Sequence, residues 1–95
     1  MIPLELEPYR DAILSLAAQH GAERIRLFGS MARGEARPDS DVDFLVIMKP
    51  DRTMLDRLAL QRDLEQLLHR RVDVVSERGL SPVMHDTVLS EAVPL

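Results

Sequence analysis

Gly29-Ser30, a gap of ten residues, and Asp41-Val42-Asp43 running into Phe44-Leu45-Val46-Ile47-Met48 make up the stretch best suited to chemistry. Alternate side chains of a strand point the same way, so Asp41 and Asp43 project from one face, roughly 7 Å apart. Aspartate is depleted in strands and like charges on one face repel, so the arrangement asks for a divalent cation. A third carboxylate interrupts another apolar run, Val72-Asp73-Val74-Val75. If these two strands lie side by side, Asp41, Asp43 and Asp73 meet at one end of a sheet. Hard oxygen donors with no cysteine and only three histidines suit Mg²⁺ or Mn²⁺ rather than Zn²⁺. Carboxylates on rigid strands are also what a two-metal phosphoryl-transfer site uses. A single aspartate would more simply end a strand or cap a turn. The recurrence in two strands, with buried unpaired charge so costly, favours the metal.

Gly29 directly after a strand lets a ligand approach the backbone, and Ser30 places a hydroxyl beside the free N–H groups of a following turn. That combination suits phosphate, although an ordinary N-cap serine looks the same. Arg33 stands where a capping box would have Glu or Gln, and it either faces a phosphate chain or is a solvated surface arginine. His20, His69 and His85 fall at helix ends or on polar faces, and no histidine base is required.

The elements that must position these residues are readable from periodicity. Leu6, Tyr9, Ile13, Leu16 and Ala17 recur at helical spacing, and His20-Gly21 supplies a glycine stop. Glu23 to Phe28 reads as a strand with Ile25 and Leu27 on one face. Met31-Ala32-Arg33 forms a helical turn, and Glu35 to Ser40 is a loop. Val42 to Met48 is apolar on both faces beyond Asp43, the mark of a central strand. After the break at Lys49-Pro50-Asp51, Thr53 to His69 is the longest helix, with Met54, Leu58, Leu64, Leu67 and Leu68 as its expected buried side. Arg71 to Ser76 is a third strand, and Ser81-Pro82 starts a last helix ending near Glu91. The apolar residues Val83, Val88, Leu89, Ala92, Val93 and Leu95 are either core or a docking surface. Val88 and Leu89 are assigned to the core, and the rest stay open. The order α-β-(turn)-β-α-β-α gives a sheet with helices packed on it.

Composition bounds the function. Ninety-five residues make one domain, 1–95, with 45% hydrophobic and 29% charged residues and almost no aromatic ones. The absence of cysteine excludes disulfides and thiolate metal sites and makes a reducing cytoplasm the default. No apolar run reaches the length of a membrane span. A net charge of −4 argues against direct nucleic-acid binding. Lys49 is the one lysine and sits outside any glycine-rich loop, so a P-loop is excluded.

The segment GSMARGEARPDSDVDFLVIM resembles the signature of the DNA polymerase β-like nucleotidyltransferase superfamily. Within it, the short chain is similar to the minimal nucleotidyltransferase antitoxins encoded beside HEPN-domain toxins, a likeness running from Arg24 through Asp73. The resemblance implies an α/β (α+β) fold, a small mixed sheet with flanking helices that binds ATP and Mg²⁺ at its end. It implies that Gly29 and Ser30 hold the β- and γ-phosphates, with Arg33 a further nucleotide-binding candidate. It makes Asp41, Asp43 and Asp73 the catalytic and metal-ligating residues, Asp73 helping to deprotonate the incoming hydroxyl. It also implies transfer of AMP to a tyrosine of a HEPN ribonuclease, which silences that toxin. Two other readings stand beside it: an antitoxin that inhibits by binding alone, and a transferase for a small molecule.

Overall fold

The computed structural model describes residues 2–95. A 3-10 turn, Glu7–Tyr9, leads into α1, Arg10–Gln19, and β1 follows at Ala22–Phe28. The expected glycine stop is present: Gly21 adopts φ 83°, a left-handed value that suits glycine. Then come α2 (Ser30–Arg33), β2 (Val42–Met48), α3 (Met54–Leu68), β3 (Val72–Ser76), α4 (Pro82–Glu91) and β4 (Val93–Pro94). The strands form one sheet in the order β3-β2-β1-β4. β1 runs antiparallel to β2 and to β4, while β2 and β3 are parallel, so the sheet is mixed as expected.

The two faces of this sheet differ in kind. Ile25 and Leu27 of β1 pair with Val46 and Phe44 of β2, which share a face with Val72 and Val74 of β3. These residues are buried together with Ile13 and Ala17 of α1 and Leu60, Leu64 and Leu68 of α3. The opposite face carries Arg26, Asp43, Leu45 and Asp73. Connections between parallel strands are right-handed, so a crossover moving one way puts its helix on one face and a crossover moving back puts it on the other. β2-α3-β3 moves outward and seats α3 on the core face; β3-α4-β4 returns past β2 and β1 and carries α4 over the second face. Val88 of α4 and Leu45 of β2 are accordingly buried, but neither belongs to the main apolar cluster. Buried Arg26 forms an ion pair across this second face with half-buried Glu77, in the 3-10 turn Glu77–Gly79 that opens the return.

One expectation needs correction. Met54 is 64% exposed and Leu58 44%, so neither lies on the buried side of α3. The core row is Leu60, Leu64 and Leu68; Met54 and Leu58 stand about 120° and 160° round the wheel from Leu60. The tail, left open between core and surface, divides: Val93 and Leu95 pack against the core, with Val93 in an edge strand beside Leu27, while Val83 is 88% exposed. Pro94 lacks an N–H and is tolerated on such an edge. Val88 is buried as expected, on the second face, whereas Leu89 is half-buried and packs outside the main cluster.

The other sheet edge is closed by side chains. Val72 N–H donates to Glu65 Oε2 at 3.3 Å and Val74 N–H to Gln61 Oε1 at 3.0 Å. Arg57 Nη1 donates to the Val74 carbonyl at 2.6 Å. Arg57, Gln61 and Glu65 recur every four residues along α3 and take the place of a neighbouring strand. The start of α3 is fixed by a capping box, with Thr53 accepting from the helix and Asp56 Oδ2 accepting from Thr53 N–H at 2.8 Å. That hydrogen bond is the main reason the Asp56 carboxyl titrates below its ordinary value.

Candidate active site

Register decides which carboxylates meet. Asp43 is paired with Asp73 across the parallel β2–β3 ladder, and with Phe28 on its other side. Directly paired residues point to the same face of adjacent strands about 4.8 Å apart, so Asp43 and Asp73 stand shoulder to shoulder on the second face. Gly29 follows Phe28 at once, which brings the turn into α2 against Asp43.

That contact is close. A Cβ on Gly29 would lie 2.3 Å from Asp43 Oδ2, well inside any real contact. Gly29 also adopts φ 75°, ψ −156°, a region that only glycine occupies without strain. Two independent constraints therefore demand glycine here: the turn needs its backbone freedom, and the carboxylate needs its missing side chain. The structure also bears on Ser30. The N-cap of α2 is Gly29, and no side chain caps the helix, so the Ser30 hydroxyl is not spent in the ordinary role. The first N–H groups of the helix have no partners within it.

Asp43 pays electrostatically for its place. Burial, then Asp73, then Asp41 push its carboxyl up from 3.8 to about 6, and Arg33 partly offsets them. Asp41 precedes β2, is more exposed, and sets Oδ1 3.9 Å from Arg71 Nε. Among the described residues, no three His, Asp or Glu side chains close on one point as they stand. The three acids are gathered at one end of the sheet without converging on one point. The donor set and the raised Asp43 fit a divalent cation: a hard ion would offset the burial and the like-charge repulsion that lift this carboxyl.

Arg33 sits at the rim, with Nε 3.1 Å from Glu35 Oε2 and Nη1 3.2 Å from Glu91 Oε2. The hydrogen bond that Arg33 donates to Glu35 leads the causes that hold its guanidinium pKa above the ordinary value. It thus ties the last turn of α4 to α2 while lying within electrostatic reach of Asp43. Neither Glu partner was found from sequence, since nothing local marks a contact between residues 33 and 91. His20 is structural, bonding Asp63 Oδ2 at 2.6 Å and so joining the end of α1 to α3.

A family model described as a nucleotidyltransferase domain matches residues 10–94. The chain belongs to the nucleotidyltransferase family. It is 42% identical over 78 residues to the protein adenylyltransferase MntA of Thermococcus cleftensis, covering 82% of this chain and 79% of that one. A Methanocaldococcus jannaschii protein assigned as a protein adenylyltransferase is 33% identical over 90 residues, covering 95% of this chain and 97% of that one. Among solved structures, one assigned as a minimal nucleotidyltransferase is 58% identical, with a TM-score of 0.86 over 95% of this chain and 92% of that chain. A crystal structure of a toxin-antitoxin with AMP-PNP is 26% identical, with a TM-score of 0.78 over 90% of this chain and 70% of that chain. These comparisons bear out the resemblance and the nucleotidyltransferase fold. No described helix is long and apolar enough to cross a membrane.

Proposed function

We propose that this nucleotidyltransferase is an antitoxin that transfers AMP from ATP to a hydroxyl, a tyrosine in the first instance, of a HEPN-type toxin ribonuclease. The observation that carries the reading is the in-register pair Asp43–Asp73 set against Gly29 at one end of the sheet. The relatives named adenylyltransferase and the toxin-antitoxin complex with AMP-PNP support the reaction class and the kind of partner.

In this reading the Gly29–Ser30 turn and the free N–H groups behind it hold the β- and γ-phosphates, with Arg33 as a further donor once it exchanges its glutamates for phosphate. Asp41, Asp43 and Asp73 would hold Mg²⁺. When bound, the metal neutralises the phosphate oxygens and lowers the pKa of the acceptor hydroxyl. The acceptor oxygen forms a bond to the α-phosphorus, the bond from that phosphorus to the bridging oxygen breaks, and pyrophosphate leaves. The hydroxyl proton passes to the Asp73 carboxylate. The work of the protein is alignment and charge compensation.

Mass spectrometry of the partner after incubation with ATP and Mg²⁺ tests this directly. A nucleotide adduct that disappears with Asp41→Asn is the expected result. Neutralisation of the toxin with no adduct, unchanged in that variant, would instead make the protein an inhibitor by binding alone.

A further inference from the structure

In-line displacement fixes the direction from which the acceptor must come. The attacking and leaving oxygens lie on opposite sides of the α-phosphorus. With the leaving phosphates held after β1 at Gly29–Ser30 and the carboxylates on β2 and β3, attack comes from the β3 flank. That flank holds a hollow of about 270 Å³ between the loop Pro38–Ser40 and the turn His69–Arg71. It opens at the same sheet end as the acids, because Asp41 follows one wall and Asp73 the other.

The walls are not equivalent. Arg70 is committed to structure: it donates to the carbonyls of Arg37 and Ser40, at 3.2 and 2.7 Å, and pairs with Glu5 at 3.3 Å. It thereby pins the loop that forms one side. Arg71 is uncommitted, 87% exposed at its side chain, with Asp41 as its ion-pair partner at 3.9 Å. A pair so open and so long contributes little, so the guanidinium can turn to a better anion. His69 adds an imidazole, and Asp39 is the acidic group on the facing wall.

From this placement we infer that the hollow is the acceptor subsite, and that Arg71, with His69, selects acceptors whose hydroxyl lies beside an anionic group. Two sources carry that chemistry: acidic side chains flanking the acceptor residue, or the phosphodiester left by a first transfer. The inference rests on the nucleotidyltransferase reading, since the flank is defined by where the leaving phosphates sit.

The test uses the whole protein, isotopically labelled and saturated with a non-hydrolysable ATP analogue and Mg²⁺. Three probes are titrated: the tyrosine ester of AMP, acetyl-Asp-Tyr-Asp-amide, and neutral acetyl-Ala-Tyr-Ala-amide. At least one anionic probe is expected to bind about tenfold tighter than the neutral one, the scale of one charge-assisted hydrogen bond. It should shift the amides of Ser40 and Arg71, and lose that advantage in Arg71→Ala, a surface change that leaves the fold intact. The tighter of the two anionic probes identifies the source. Equal binding of all three, or an advantage that survives Arg71→Ala, overturns this inference alone. An analogue that leaves the Gly29 and Ser30 amides unmoved overturns the nucleotide reading, and this inference with it.

Discussion

Asp43 and Phe44 are neighbours in β2, yet they belong to different regimes. Phe44 is fully buried on the face shared with α1 and α3, within the main apolar cluster. Asp43 is half-buried on the opposite face, beside two other acids, with its carboxyl pushed up to about 6. The core face is optimised for stability, and the second face departs from that optimum where the chemistry would take place. Consistency of local rules is what makes a sequence fold, and their violation marks a site.

The contrast can be broken from either side. The largest effect expected is from Asp43→Asn, which should lower nucleotide transfer by about a thousandfold by removing a metal ligand and its charge. The fold should survive, as circular dichroism would show. Next comes the core: Phe44→Ala should cost about 3–5 kcal/mol of stability, while the gentler Phe44→Leu should cost about 1.5 kcal/mol at most and leave transfer in place. Urea midpoints against transfer rates separate the two residues. A loss of transfer in Phe44→Leu at full stability would mean that the faces are not independent. Ser30→Ala should slow transfer by about ten- to a hundredfold with no change in melting temperature, since the hydroxyl caps nothing.

The smallest effect concerns pH. The Asp43 carboxyl lies at about 6 in the folded protein against 3.8 ordinarily, so the native state holds the extra proton between these values. Stability of the metal-free protein should therefore fall as pH rises through that window and stay lower above it. The shift is worth at most about 3 kcal/mol, and screening at a half-buried carboxyl cuts this to about 1–2 kcal/mol. Melting curves from pH 4 to pH 8 should show this decline in the wild type and its loss in Asp43→Asn. If both proteins behave alike, the second face carries no such tension.

Much of this was legible in the chain. Gly29-Ser30 and Asp41-Val42-Asp43 marked residues that the fold brings to one end of the sheet, and the alternation of β1 and the two-sided β2 marked the strands. Local signals sufficed there because turn chemistry and periodicity are written within a few residues. What escaped depends on distant partners. β4 is two residues long and exists only because β1 offers an edge at Leu27. The facing of α3 depended on which of several leucine rows met the sheet, and Arg57, Gln61 and Glu65 read as ordinary surface residues until β3 was beside them. The engagement of Arg33 with Glu91 joins residues 58 apart. Asp73 was recognisable as an acid in a strand, but its pairing with Asp43 follows from the parallel register.

The ladder of Arg57, Gln61 and Glu65 carries a last consequence. Its groups answer the polar margin of β3 that would otherwise recruit a strand from another molecule. Visitors to this side of the protein must bind by shape and side-chain chemistry, because no zipper is on offer. Replacing Gln61 with leucine would leave the Val74 amide unanswered, and the damage would surface as clumping at high concentration rather than as a slower reaction.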